Sequence, residues 1–297
     1  MALAVRSAVV NGMEIESLYV RYFSIQAPFR SKSYQRTDIK RRSHSLLTQL
    51  IKQLMADPQL LLIENPSKPM LIYAYVEDKN ERSHHLVSQM ELKRARTLKT
   101  LAFSRFFPKR KLHVAILDAE KIKLFEPVWQ AYYAHYTLVP AFNDESGPYF
   151  AWETDGEIAL GAHVSKNAWV IHEIPGIKGW LIQHILPRIP VLRRIFQKGR
   201  MDFIALESLY LHPSHYHKFP DFAETLCAHY GVTKAFIWAD AGSALAGQIK
   251  SAGQSGWLGR LAGNSPSGVM IRTYGTADSQ WEYLLQHPCY ISASDIT

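Results

Sequence analysis

The stretch "FIALESLYLHP", Phe203 to Pro213, decides the fold of this chain. It is rich in branched and aromatic residues, has no glycine inside and ends on proline, so it reads as a strand. Its centre has an echo. "EIESLYVRYFSI", Glu14 to Ile25, is also a strand by composition, and Ile15–Val20 and Leu206–Leu211 share the word Glu-Ser-Leu-Tyr. The order of elements after each copy is the same. After the first comes "SHSLLTQLIKQLMAD", with Leu46, Leu47, Leu50, Leu54 and Met55 at helical spacing and Ser43 or Ser45 as its cap. The strand "PMLIYAYV" follows, uniformly apolar as for a strand covered on both faces. Next are the helix "NERSHHLVSQMELKRA" and the closing strand "TLAFSRFF". The second copy is followed by the helix "FPDFAETLCAHYG", the strand "KAFIWAD", the helix "SALAGQIKSAG" and the strand "GVMIRTYG". A repeated order of this kind predicts an internal duplication.

Between the copies, "PKRKLH" reads as a linker and "LHVAILD" as a strand. Asp118 is placed to cap the helix "AEKIKLFEPVWQAYYAHY". "YFAWETDGEIALGAHVSKNAWVIHEI" reads as a meander, with one turn at Asp155-Gly156 and a second at Ser165-Lys166-Asn167. The expected architecture is an α/β chain with a mixed sheet, in two blocks at residues 1–110 and 111–297, with an insertion at about 175–200.

Composition narrows the function. At 47% hydrophobic and 20% charged, the 297 residues describe a folded chain and not a disordered one. No apolar run approaches the roughly 20 residues of a membrane span, and Glu14 interrupts the apolar start too early for a signal peptide. Cys227 and Cys289 form neither a disulfide framework nor a zinc set, which points to a cytoplasmic protein. The charge of +8 is lopsided: through Lys111 there are 20 Lys and Arg against 9 Asp and Glu. Such a field suits a polyanionic partner, whether phosphorylated cofactor, nucleic acid or anionic membrane; the alternative is a solvated basic face. Nucleic acid calls for exposed aromatic residues among the cations, and Phe29 and Tyr34 barely supply them.

The insertion "GIKGWLIQHILPRIPVLRRIFQKGR" is apolar through Trp180, Leu181, Ile182, Ile185, Leu186, Ile189 and Val191, and basic through Lys178, Arg188, Arg193, Arg194, Lys198 and Arg200. Pro187 and Pro190 break it into short pieces. Residues 178–200 have the composition of a segment that lies peripherally on a membrane or lines a greasy groove; the alternative is a lid on the core or a dimer contact.

With the elements in place, the chain resembles the GNAT superfamily of acyl-CoA-dependent N-acyltransferases. The second block is similar over most of that fold, and the first only over its C-terminal part. "LAVRSAVVNGMEI" is then a remnant, so that the first domain is either incomplete or begins upstream of Met1. The resemblance implies tandem GNAT-like domains, acetyl-CoA or a longer acyl-CoA as co-substrate, no metal, and a small-molecule or lipid-like amine as acceptor. It also gives Asn80 a role, since an asparagine beyond the splayed strand often bonds the pantetheine arm; capping the following helix is the compatible alternative. The family holds pyrophosphate on a glycine-containing loop. Here "IQAPFRSKSYQRTDIKRRSH" has no glycine, but Arg30, Lys32, Arg36, Arg41 and Arg42 supply cations in its place, with Tyr22 and Ser24 at the strand's end. The matching loop of the second block, "HPSHYHKFPDFAET", lacks glycine too, and its three histidines read as a surface loop. That block is expected to shape the acceptor site or to be a pseudo-domain.

Acyl transfer needs a base for the amine, a donor for the oxyanion and a proton for the leaving thiolate. Glu16 and Glu207, on the two central strands, are the candidate bases; pairing with arginine or exposure to solvent is the alternative for each. The tyrosine that the family often places seven residues after the asparagine is Val87 here, which leaves Tyr75, Tyr22 or a water for the proton. The competing reading is a degenerate, non-catalytic tandem module that binds an anionic partner. No Gly-x-Ser-x-Gly occurs, so a serine-hydrolase elbow is excluded.

Overall fold

The computed structural model describes residues 2–21, 53, 69–142, 147–172, 176–196, 199–253, 256, 258, 266–275 and 278–296. Of the first helix read from the sequence, at residues 43–57, only residue 53 belongs to this set. Tyr22, Ser24, Arg30, Lys32, Arg36, Arg41 and Arg42 lie outside it.

The expected remnant holds a strand and a turn. β1 (Ala2–Val10) and β2 (Met13–Arg21) form an antiparallel hairpin in register from Ala2↔Arg21 to Val10↔Met13. Asn11 and Gly12 turn it with φ of 50° and 72°, the left-handed pair that a two-residue hairpin requires. β3 (Met70–Glu77) is buried on both faces, as its composition predicts: Leu71 and Tyr73 pack in the cluster with Phe203 and Trp238, Ile72 and Ala74 in the one with Val87, while β2 pairs along one edge in parallel and β10 (Ser267–Tyr274) along the other.

Helix α1 (Glu81–Gln89) begins at its cap, where Asn80 Oδ1 accepts from Ser83 N at 3.1 Å. It is shorter than its residues suggest. Glu91 turns left-handed at φ 59°, and "KRA" opens β4 (Lys93–Ser104). Good helix formers are overridden here because Lys93 and Arg94 pair with Ile271 and Met270 of β10, and from Leu98 the strand pairs on with β9 (Lys234–Asp240).

β5 (Val114–Ile116) leads into α2 (Ala119–Tyr133), capped by Asp118 as expected. β6 (Tyr149–Thr154) turns into β7 (Glu157–Val170) at Asp155-Gly156, with φ of 54° and 81°. The second expected turn does not exist. β7 runs straight through Ser165-Lys166-Asn167, which pair with Ala205, Ile204 and Phe203 of β8 (Arg200–Leu211). The two polar side chains of that stretch share one strand face, and Asn167 Nδ2 donates to Ser165 Oγ at 2.9 Å. Then follow α3 (Phe219–Tyr230), β9 (Lys234–Asp240), α4 (Ala244–Ala252), β10 (Ser267–Tyr274) and α5 (Asp278–Gln286). The sequence reading stops at β10 and misses α5.

Among the described residues all strands join one sheet of ten, ordered β1-β2-β3-β10-β4-β9-β8-β7-β6-β5. The closing strand of the second block lies between two strands of the first, and β4 of the first block pairs with β9 of the second. The two blocks are thus interleaved. Helices α3 and α4 cover one face around Phe222, Leu226 and Leu245; the other central face packs Tyr19, Phe203 and Trp238 under α5 and the tail.

The insertion is locked where it rejoins the sheet. Ile195 and Phe196 are buried, Lys234 Nζ donates to Ile195 O at 2.8 Å and Thr233 Oγ1 donates to Arg194 O at 2.9 Å. Burial pulls the Lys234 pKa down to about 8, with Asp202 resisting. An unfolded lysine titrates near 10.5, so between these values the unfolded chain binds one more proton and stability rises with pH. The expected gain over that window is at most roughly 3 kcal/mol. It should appear as a urea midpoint that rises between pH 8 and 10 in the wild type but not in Lys234→Met. Parallel curves would show that Lys234 titrates as in water.

Candidate functional site

The two Glu-Ser-Leu-Tyr words do not have the same backbone. Ser17 sits in regular strand opposite Arg6, whereas Ser208 is left-handed at φ 50°. Ser208 opens a bulge: β7 advances from Gly161 to His163 while β8 advances from Glu207 to Tyr210. Alternation along β2 puts Glu16 on the Leu18 and Val20 face, under α1. On β8 alternation keeps Glu207 on the face of Phe203 and Ala205, and the bulge after it returns Leu209 and Leu211 to the face of Ile204 and Leu206. Relative to the leucine that follows each, the two candidate bases therefore face opposite sides of the sheet.

Aromatic side chains satisfy the backbone groups that the bulge frees. Ser208 N donates to Tyr290 Oη at 3.0 Å. Ser208 O accepts from Trp129 Nε1 at 3.2 Å and Tyr149 Oη at 3.3 Å, and Leu209 O from Tyr133 Oη at 2.7 Å. Gly161 makes room for this, since a Cβ there would lie 2.5 Å from the Tyr149 ring.

β8 and β9 are parallel but pair only at Ile204↔Ala235 and Ala205↔Phe236. Beyond those pairs the strands part. The gap is small, lined by Tyr133, Tyr136, Glu207, Ser208, Asp240 and Tyr290 among others, with room for about one water. Tyr136 Oη is buried there with no hydrogen-bond partner among the described residues. Burial raises its pKa; Ser243 and the Leu245 N–H oppose that only in part, neither meeting the hydroxyl in hydrogen-bonding geometry. The segment after α5 closes the gap: Tyr290 N donates to Thr137 O at 2.8 Å and Cys289 N to Asp240 Oδ2 at 3.0 Å.

From this gap a polar chain runs across the sheet. Glu207 Oε1 accepts from Ser292 Oγ at 2.5 Å and Ala293 N at 3.1 Å. Ser292 Oγ meets Ser294 Oγ at 2.7 Å, and Arg6 Nη2 donates to Ser294 Oγ at 2.8 Å. Arg6 Nη1 lies 2.9 Å from Asp295 Oδ1. Asp295 Oδ2 accepts from Tyr73 at 2.8 Å and Tyr75 at 3.2 Å. Burial raises the Asp295 pKa, Arg6 and the two phenols oppose it, and the Glu207 charge adds to it. Burial and the Asp295 charge hold both phenols well above their usual range, so they stay protonated and donate.

No protein-family model matches this chain, and no curated protein sequence matches it. Solved structures do. Saccharomyces cerevisiae N-myristoyltransferase with bound myristoyl-CoA superposes at a TM-score of 0.53 and 10% identity, over 93% of this chain and 67% of that one. A further structure of that enzyme, with myristoyl-CoA and inhibitors, gives 0.54 at 10% identity, over 93% and 65%. The chain has the GNAT-like acyl-CoA N-acyltransferase fold. It spans about two thirds of the length of these relatives. A GCN5-related N-acetyltransferase from Sphaerobacter thermophilus, at 11% identity and a TM-score of 0.43 over 87% of this chain and 72% of that one, is too distant to argue from.

Within this GNAT-like fold, the sequence candidates fall in three groups. Glu207 and Tyr75 belong to one network, joined through Ser292, Ser294, Arg6 and Asp295. Glu16 stands apart on the other face, and Asn80 is the cap of α1. Arg30, Lys32, Arg36, Arg41 and Arg42, with Tyr22 and Ser24, lie outside the described residues. Sequence reasoning missed Ser208, Tyr290, Ser292 and Asp295. The tail "HPCYISASDIT" has neither helical nor strand period, and only its buried-type Tyr290 and Ile291 hinted that it packs.

Proposed function

We propose that the chain is an acyl-CoA-dependent N-acyltransferase that moves an acyl group from CoA to an amine. The first block, 1–110, binds the thioester through Arg30, Lys32, Arg36, Arg41 and Arg42, with Tyr22, Ser24 and Asn80 beside the pantetheine arm. The second block, 111–297, shapes the acceptor side. The observation that carries this reading is a buried carboxylate, Glu207, at the bulge where two parallel strands part. In the reaction the amine nitrogen attacks the thioester carbon and gives its proton to Glu207. A backbone N–H holds the oxyanion. The C–S bond breaks, and the thiolate takes up a proton, with Tyr75 as candidate donor. The products are an amide and free CoA. A small-molecule or lipid-like amine is the acceptor class, and the likeness to a protein solved with myristoyl-CoA supports testing long acyl chains.

One observation favours the second reading, a non-catalytic module for an anionic partner: Tyr290 and its neighbours leave the β8–β9 gap room for about one water. Thermal melting with acetyl-CoA and with myristoyl-CoA separates the two readings. Ligand at 100 times its dissociation constant is expected to add about 2.7 kcal/mol, roughly 4–5 °C for a chain of this size. Arg41→Ala with Arg42→Ala should shrink that shift by weakening binding about tenfold or more. An unmoved melting curve with both thioesters leaves the non-catalytic module.

A further inference from the structure

We infer that the segment between β7 and β8 is a docking surface for an anionic lipid bilayer. The segment leaves the sheet at Val170 and returns at Arg200, two residues in register with each other. Its last turn is anchored, as described above, and in its middle Ile182, Ile185 and Leu186 are half-buried, yet other large apolar side chains stay outside. Ile177 is 82% exposed and Trp180 54%, with Leu181, Ile189 and Val191 exposed as well. A lid pressed on its own protein would hide these side chains. Val170, 68% exposed, continues the apolar patch at its base.

Charge selects the partner. From Pro175 to Met201 there are six cations and no Asp or Glu. Arg188, Arg193, Arg194 and Arg200 are exposed. The Arg194 guanidinium lies 4.4 Å from the Phe107 ring centroid, and Phe107 is itself 55% exposed, so the patch extends beyond the segment. A second copy of the chain would bring like charges together. A bilayer with anionic headgroups takes both features at once: the aromatic and aliphatic groups enter at headgroup depth while the guanidiniums meet phosphates. Among the described residues no helix is long and apolar enough to cross a membrane, so the segment lies on the surface. This inference does not depend on the acyltransferase reading.

Co-sedimentation of the full chain tests it, with vesicles of phosphatidylcholine alone and with about 30 mol% phosphatidylserine. The anionic vesicles should bind at least about tenfold more protein at low salt, with the advantage fading as salt rises. Ile177→Ser with Trp180→Ala, and separately Arg188→Glu with Arg193→Glu, should each lower binding about tenfold or more, at unchanged melting temperature. Brominated acyl chains should quench tryptophan fluorescence in the wild type, a readout that needs no variant. Equal binding to both vesicles, full binding by both variants, or absent quenching would each overturn the inference. A dimer that Trp180→Ala converts to monomer would assign the patch to a second copy instead.

Discussion

Replacing Asp240 with alanine is expected to cost about 3–5 kcal/mol of stability. The carboxylate ends β9 at 2% exposure. It accepts from Arg96 Nε at 2.7 Å, from Gly242 N at 2.8 Å and from Cys289 N at 3.0 Å. These donors come from β4 of the first block, the turn into α4, and the tail that carries Tyr290 and Asp295. The side chain thus joins both blocks to the segment that closes the gap. Alanine leaves two backbone N–H groups without their acceptor. It also leaves the Arg96 charge, 18% exposed, with the Leu285 carbonyl at 2.9 Å in place of its ion pair. Asp240→Asn keeps the shape and an acceptor, and should lose roughly half as much. Urea unfolding measures both. A loss under about 1 kcal/mol, the scale of an exposed pair, would mean that water reaches the carboxylate.

What the sequence reveals and conceals divides along a physical line. Local signals were legible: the apolar run of β3, the Asp118 and Asn80 caps, and the Asp155-Gly156 turn all stand where their residues put them. The Asn11-Gly12 turn carries the same kind of signal, but a reading that took residues 3–15 for a remnant passed over it. Non-local pairing was not legible. Nothing in "KRARTLKTLAFS" announces that β10, almost at the other end of the chain, will pair with it and override its helical residues. The site was half legible. Glu207 was named, but the repeat made Glu16 look its equal, because serine accepts both extended and left-handed backbone and its letter cannot say which. Only the Tyr290, Trp129 and Tyr149 groups that stabilise the bulge decide it, and they come from three distant places.

If Glu207 takes the amine proton, Glu207→Gln should lower kcat by 10²–10⁴-fold. The amide keeps the shape and an acceptor for Ser292 Oγ and Ala293 N, so the fold and KM should change little. A merely structural role predicts the reverse, a lower melting temperature with the rate intact. The pH profile sharpens the contrast. Without the carboxylate, the reaction depends on amine that has already lost its proton in solution. The variant's rate should therefore climb about tenfold per pH unit below the amine pKa, and approach the wild type in alkali. Glu16→Gln is the companion measurement, because its carboxylate lies on the α1 face. A loss confined to Glu16→Gln would move the base into the first block. If both variants keep the wild-type rate while acyl-CoA still binds, proton removal belongs to the acceptor or to water, and the network from Glu207 to Asp295 serves only to stitch the tail across the two halves.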